Sequence, residues 1–428
     1  MNVGLGRLAV VGAAVALAVP GVAQANEVTK WNNIAVNTVL AQPPITSGPP
    51  AAAVFLAMVQ GAVYGAVNAT DRHGRPYLVV RSFPKASTDA AAATAAFRVL
   101  DALFPAQHTT LQSEYDASLA AISAGEAKST GIEVGTMSAD AMLAQGHDGR
   151  QVLPCVFGTG PGAWQPLVGP TGFLCDPTPW VRNAVPFLVN SASQFRTAGP
   201  LPLASAAYAA DFNEVKAIGS LNSTTRTLEQ SHIAAFWQSN PAANYNAVAR
   251  RFVDEQSLDV RDSALLFAMI DLNAADAIIN VWNDKYYWSF WRPMAAIRAA
   301  DDGNPATVAD PNWKPLFDPS LDPAIAGAGP ALITPPYPDH PSGATGYASA
   351  TMHAFQSFFG TDEMTFYVTS SRFPGEKRYF NRFSDLINQV LEARIWAGIH
   401  FRNPDVQAAN LGREVELYTH THQFAFVH

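Results

Sequence analysis

Residues 258–284 read LDVRDSALLFAMIDLNAADAIINVWND, apolar on more than one face at helical spacing. Such a helix cannot lie on a surface, because any outward face would leave apolar area in water. It belongs in the middle of a bundle. The rest of the chain is helical in period nearly everywhere. Helices are predicted at about 27–40, 49–67, 87–104, 108–124, 137–145, 203–218, 222–238, 241–255, 258–284, 342–359, 381–397 and 405–419. Ser87-Thr88-Asp89 suits a helix start, as does Asn240 followed by Pro241. Only residues 76–81 (PYLVVR) and 364–369 (MTFYVT) read as strands. Residues 148–202 and 301–341 have no period and are rich in Gly, Pro, Trp or Asp; loops this long usually carry function or pack across a site. The expected fold class is all-α, a helical bundle decorated by two long loops.

Hydrophobic residues make up 48% of the 428 and charged ones 14%, which suits a large buried core. Gln60, Asp271, Asn273 and Asp276 interrupt the long apolar segments, so no membrane span is expected after the N-terminus. A formal net charge of −8 without basic runs argues against nucleic acid and anionic membranes as partners. Residues 1–25 pair Arg7 with an apolar stretch from Leu8 to Val19 and close on Ala23-Gln24-Ala25, the pattern of a cleaved signal peptide. A secreted or periplasmic protein is therefore expected, with residues 26–428 as one large all-helical domain. Within it, 26–200 form a helical part and loop, and 201–428 form the active-site bundle. Cys155 and Cys175 flank a Gly/Pro-rich segment, and an oxidising compartment favours a disulfide between them over two buried thiols.

Three short segments carry chemistry. In residues 285–293 (KYYWSFWRP), Lys285 and Arg292 are two helical turns apart. On a continuing helix both cations would face one way among aromatics, which is costly unless an anion sits between them. The bland reading pairs them with Asp284, Asp301 or Asp302 at the surface. In residues 337–344 (YPDHPSGA), Ser342 can cap the helix that follows and Gly343 lets a ligand approach the backbone. Taken alone, that segment is an ordinary N-cap. In residues 393–405 (ARIWAGIHFRNPD), Arg394 and His400 would diverge by about 120° on one helix. To share a ligand they need the helix to end between them, and Gly398 is the natural end. A lone histidine there would more often be a satisfied core or turn residue.

The combination of Lys-x6-Arg-Pro, Pro-Ser-Gly and Arg-x5-His resembles the three-part active-site signature shared by vanadium haloperoxidases and type 2 phosphatidic acid phosphatases. The surroundings, including residues 158–164 (GTGPGAW), are similar to secreted bacterial haloperoxidase-like proteins. The resemblance implies a four-helix bundle around a site for vanadate or phosphate. Lys285, Arg292 and Arg394 would neutralise the equatorial oxygens, and Ser342 and the Gly343 amide would hydrogen-bond them. His400 would be the axial vanadium ligand, or the nucleophile of a phosphatase. The expected substrates are hydrogen peroxide, a halide and an organic acceptor.

The chain departs from the family pattern where Pro-Ser-Gly is followed by Ala344 instead of the acid–base histidine. Losing such a group costs typically about 10²–10⁴ in rate. Ala393 stands where Ser is common, and Asp405 lies one residue further from His400 than in the phosphatases. His340 is a candidate substitute acid–base group, or else a loop histidine bonded to Asp339 or a carbonyl. A haloperoxidase is the leading expectation; a His400 phosphatase and an oxyanion-binding homologue with lost turnover are the alternatives. His420, His422 and His428 read as a tail rather than a metal site, Asp301, Asp302 and Asn304 as a polar turn, and Gly158, Gly160 and Gly162 as a rigid surface turn.

Overall fold

The computed structural model describes residues 26–424 apart from 73, 170–171 and 318–333. The signal-peptide reading of residues 1–25 lies outside these, as do His428 and the middle of the 301–341 loop. In chain order the helices are α1 Glu27–Leu40, α2 Pro44–Ser47, α3 Pro49–Thr70, α4 Thr88–Leu103, α5 His108–Ala121, α6 Glu126–Leu143 and α7 Ala206–Ile218. There follow α8 Leu228–Phe236, α9 Pro241–Glu255, α10 Val260–Trp288, α11 Pro293–Ala299, α12 Gly343–Phe359, α13 Phe383–Trp396 and α14 Arg402–Thr419. Two antiparallel hairpins complete the described residues: β1 Leu167–Gly169 with β2 Gly172–Leu174, and β3 Glu363–Ser370 with β4 Phe373–Arg382. The fold is all-α.

α10 is the spine that its sequence demands. It packs on α3 and α1 on one side, and on α12 and α14 on the other. α12 also packs on α13, and α13 on α14, which closes a four-helix bundle of α10, α12, α13 and α14. One apolar core runs from Val28 to Phe424 through both halves of the chain. α3 and α10 are long and apolar enough to cross a membrane, and the apolar window of each is wholly buried within the protein.

The polar residues that interrupt α10 are its attachment points. Asp276 accepts three backbone N–H bonds, from Phe187, Leu188 and Val189, at 2.7–3.0 Å. One turn on, Asn280 accepts from the Phe195 amide, and one turn further Asp284 accepts from the Thr197 amide and hydroxyl and from Arg196. Two carboxylates and an amide spaced at four residues, Asp276, Asn280 and Asp284, thus lash residues 187–197 along the spine. Cys155 and Cys175 are bonded, as expected. The adjoining Asp176 receives the Trp282 and Tyr286 side chains, so the stapled loop is fixed to the same helix.

Three sequence expectations need correction. Residues 76–81 form no strand: Pro76 cannot donate to a ladder, and no partner strand lies alongside among the described residues. The Tyr64 hydroxyl and Asn68 Nδ2 hold the segment instead, through the Arg75 carbonyl. The helix predicted at 137–145 begins at Glu126, because Gly131 and Gly135, which resemble breakers, sit where a Cβ would strike the backbone of α4. The strand predicted at 364–369 is present, but its partner β4 was not foreseen. β4 is mostly polar and half exposed, so it lacks the alternation that marks a strand.

Asp271 is buried on α10, accepts from Asn246 at 2.9 Å through Oδ1, and has no partner for Oδ2. Burial raises its pKa from 3.8 to about 7. The raised value means its favourable contribution is complete below the unfolded pKa and is lost as pH rises through the folded one. Wild-type stability should therefore fall relative to Asp271→Asn by of order 1 kcal/mol per pH unit between about pH 4 and about pH 7. Urea unfolding of both proteins at the two ends of this window measures it; parallel curves would refute the assignment.

Candidate functional site

The site lies where four helix ends meet. α10 and α13 run in with their C-termini, and α12 and α14 leave with their N-termini. α10 runs four residues past the predicted end at 284 and stops at Trp288, before Arg292. Ser289 adopts a left-handed conformation (φ 45°) and ends the helix, while Pro293 holds Arg292 extended at φ −92°, ψ 160°. Lys285 and Arg292 converge nonetheless, because the chain doubles back. The turn is braced by residues 158–164: Trp164 N–H donates to the Ser289 carbonyl, and Trp291 N–H to the Gly162 carbonyl.

Neither cation is at the surface, and neither pairs with Asp284, Asp301 or Asp302. Lys285 is wholly buried and donates to the carbonyls of Pro338, Asp339 and Pro341. Its three N–H bonds are all committed to that loop, so it offers an anion its charge rather than a free donor. Burial, then the neighbouring Arg292, pull its pKa well below the ordinary lysine value. Arg292, 2% exposed, donates through Nε to the Tyr337 carbonyl and through Nη1 to the Ile399 carbonyl, both at 2.7 Å. Its Nη1 also lies 3.5 Å from His400 Nε2.

α13 ends at Trp396, and Gly398 turns the chain at φ 75°. A Cβ there would also collide with the Gly219 carbonyl, so both torsion and space require glycine. This turn brings Arg394 and His400 into one wall, as their spacing demanded. Arg394 is 7% exposed, yet among the described residues its guanidinium makes no hydrogen bond or ion pair. The Phe317 ring centroid lies 5.8 Å from its guanidinium carbon.

His400 is buried, and its Nδ1 lies 2.6 Å from Asp339 Oδ1. Asp339 is also 3.8 Å from Arg292 and is itself fully buried. Burial, reinforced by the fields of Arg292, Lys285 and Arg394, drives the His400 pKa well down, so its ring is neutral. Nδ1 faces Asp339, which favours the ring proton there and leaves the lone pair at Nε2, where Arg292 Nη1 stands at the long distance of 3.5 Å.

Ser342 occupies the N-cap of α12 but makes no side-chain cap bond. Its hydroxyl points to Thr345 Oγ1 at 3.4 Å, and Thr345 donates to Asp405 Oδ1 at 2.5 Å. The first turn of α12 thus presents backbone N–H groups that its own cap residue leaves free. Gly343 is required for another reason than expected: a Cβ would strike the Trp282 ring. His340 is fully buried in the loop before α12. Thr197 donates to Asp284 and so accepts from His340 Nε2 at 2.9 Å, which leaves His340 Nδ1 a bare acceptor without a partner among the described residues. Burial takes its pKa down to about 3.

Arg394, His400, Gly343 and Ala344 open onto a cavity of about 370 Å³ whose remaining wall mixes aromatic rings, prolines, Ile278, Val390 and a few polar side chains. Asp339 is the site residue that sequence reasoning passed over as a catalytic neighbour. The available signal was an acid placed two residues before the Pro-Ser-Gly of an anion-binding segment.

A family model described as the VCPO second helical-bundle domain matches residues 265–427, the span that holds all of these residues. The vanadium chloroperoxidase of Curvularia inaequalis is 30% identical over 155 residues, 32% of this chain and 24% of that protein. The match thus spans about a quarter of that relative's length. Among solved structures, the first bacterial vanadium-dependent iodoperoxidase superposes with a TM-score of 0.72 at 22% identity, over 92% of this chain and 97% of that one. A holo-type bacterial vanadium-dependent chloroperoxidase superposes with a TM-score of 0.66 at 18% identity, with the same coverage.

Proposed function

Because this chain belongs to the superfamily of vanadium haloperoxidases and type 2 phosphatidic acid phosphatases, we propose that it binds vanadate at His400 and oxidises a halide with hydrogen peroxide. The observation that carries this reading is Arg394, a buried guanidinium without a hydrogen-bond partner among the described residues, set beside a neutral histidine on the wall of a cavity. A buried cation left so is unfavourable unless an anion completes it. A tetrahedral oxyanion fits the set: three cations for its charge, an uncapped helix start for its oxygens and an imidazole lone pair for its central atom.

Arg394 would hold the anion by direct hydrogen bonds, with Lys285 and Arg292 supplying charge from behind the loop they brace. Ser342 Oγ and the Gly343 N–H would donate to oxygens. His400 would be the ligand, with Asp339 keeping its proton on the far nitrogen. Vanadate, when bound, supplies the Lewis acid through which peroxide converts halide to hypohalous acid. The buried walls exclude water and so strengthen the cationic field. Secretion or periplasmic export is part of the proposal, supported by the disulfide.

Titrating the metal-stripped protein with orthovanadate while following bromination of a reporter dione tests this. Bromination should rise with vanadate and vanish in His400→Ala. Phosphate-ester hydrolysis inhibited by vanadate, without bromination, would instead establish the phosphatase reading, which lacks its leaving-group acid because residue 344 is alanine. Vanadate binding with neither activity would mark an oxyanion-binding homologue.

His340 is proposed as the proton acceptor that accompanies this chemistry. A pKa of about 3 keeps its ring neutral and makes Nδ1 a weak acceptor; the role requires the negative charge of a bound oxyanion to raise that value. His340→Gln should lower kcat by about 10²-fold with vanadate affinity unchanged. Unaltered turnover in that variant would remove the role.

A further inference from the structure

The cavity is far larger than an oxyanion, a peroxide or a halide needs. At about 30 Å³ per water, its 370 Å³ matches roughly a dozen waters. It falls in the size range of sites for whole organic molecules. Its shape follows from the helices that build it. Gly343 on α12, Trp282 on α10 and Arg394 on α13 form a layer at the oxyanion end. Counting one turn inward along each helix gives Tyr347, Ile278 and Val390, all cavity-lining and at most 2% exposed. One turn is about 6 Å. Three helices therefore place an apolar layer directly beneath the cationic one.

Trp237 and Tyr245 from the α8–α9 corner complete that lower layer, and the Trp237 indole is fixed by a 3.0 Å bond to Gln389 on α13. Flat ring faces in a rigid slot suit another flat ring. Polar residues line the cavity at this corner as well: Gln238, Ser239, Asn240 and Asn244. Asn244, 6% exposed, donates Nδ2 to Ser239 at 2.6 Å, and its Oδ1 has no protein partner among the described residues. It is an acceptor available to a ring O–H or N–H.

We propose that this lower layer binds the organic acceptor of the reaction, a one- or two-ring electron-rich aromatic bearing a single hydroxyl or N–H, oriented by Asn244. The proposal rests on the haloperoxidase reading for its chemistry. Hypohalous acid formed at the cationic layer transfers its halogen to a ring carbon about one helical turn away. The displaced ring proton joins the hydroxide of the hypohalous acid as water, so the products are the haloarene and water. A bound arene would then be halogenated at one position, whereas free hypohalous acid attacks every activated carbon.

The test is binding of β-naphthol to the full vanadate-free protein, followed by calorimetry, with orthovanadate titrated into parallel samples. Saturable one-to-one binding is expected. Ile278→Trp and Val390→Phe, which fill the lower layer, should each weaken it at least about tenfold while vanadate affinity stays within about twofold. Asn244→Ala should weaken β-naphthol more than its methyl ether, a comparison that survives if the filled variants fail to fold. Absence of saturable binding to the wild type, or equal affinity in the filled variants, would overturn the proposal. If vanadate binds and β-naphthol does not, the arene site falls and the haloperoxidase reading stands; if β-naphthol binds and vanadate does not, the reverse holds.

Discussion

Arg394→Met should make the vanadate-free protein more stable while it nearly abolishes vanadate binding. Arg394 is buried on α13 without a hydrogen bond or ion pair among the described residues. Burial is the main cause pulling its pKa down, opposed by the more distant Tyr337 and Asp405. Methionine keeps most of the volume and removes the desolvated charge, a change that stabilises by roughly 1–4 kcal/mol at comparable sites. About 1–2 kcal/mol is expected here, because the terminal nitrogens face a cavity rather than packed protein. Removal of the direct oxyanion contact should cost about 10²–10³ in affinity, in line with the loss of one charge-assisted donor from a preorganised site. Urea unfolding and vanadate calorimetry on the same preparations give both quantities. A variant that is less stable than wild type, or that binds vanadate equally well, would contradict the reading of this residue as an unfilled half of an ion pair.

Ala344→His should raise bromination kcat by about ten- to a hundredfold. Residue 344 lies in the first turn of α12, half-buried, and its side chain opens onto the cavity beside His400. The site as it stands has a neutral imidazole ligand and a histidine held unprotonated at position 340; Asp339, which burial raises to about 8, stands at His400 Nδ1 and does not line the cavity, so the described cavity wall lacks an acid of suitable pKa. A histidine at 344 supplies one. General acid–base groups contribute about 10²–10⁴, and an installed group without its own supporting hydrogen bonds should reach only the lower part of that range. Vanadate affinity should change by less than about threefold. Intact binding with unchanged turnover would mean that proton supply does not limit this protein.

These expectations draw on residues that differ in how far their roles could be read from the chain alone. The all-α fold was legible because α10 is apolar on several faces and because Gly398, Pro293 and the Asn240-Pro241 pair act through local torsions. Local rules hold wherever the deciding interaction spans a few residues. They misled at Gly131 and Gly135, where glycine serves close packing on α4 instead of ending a helix. They left 285–292 open, since the predicted helix ended at 284 and a shared helix face held only if it continued; the chain instead folds back after Trp288.

What the sequence by itself determined is the inventory: a buried central helix, three separated segments bearing Lys285, Arg292, Arg394 and His400, a Ser-Gly helix start and the alanine at 344. Each is a matter of residue type and spacing, and spacing along a helix translates directly into direction. Only the tertiary structure decided how those groups divide their work. Lys285 and Arg292 are bound to the carbonyls of residues 337–341 and 399, Arg394 is left open, Asp339 stands 2.6 Å from His400, and a cavity of about 370 Å³ lies beneath them. A donor has more potential partners than bonds, and which carbonyl or carboxylate it meets depends on segments up to 107 residues apart being pressed together by the core.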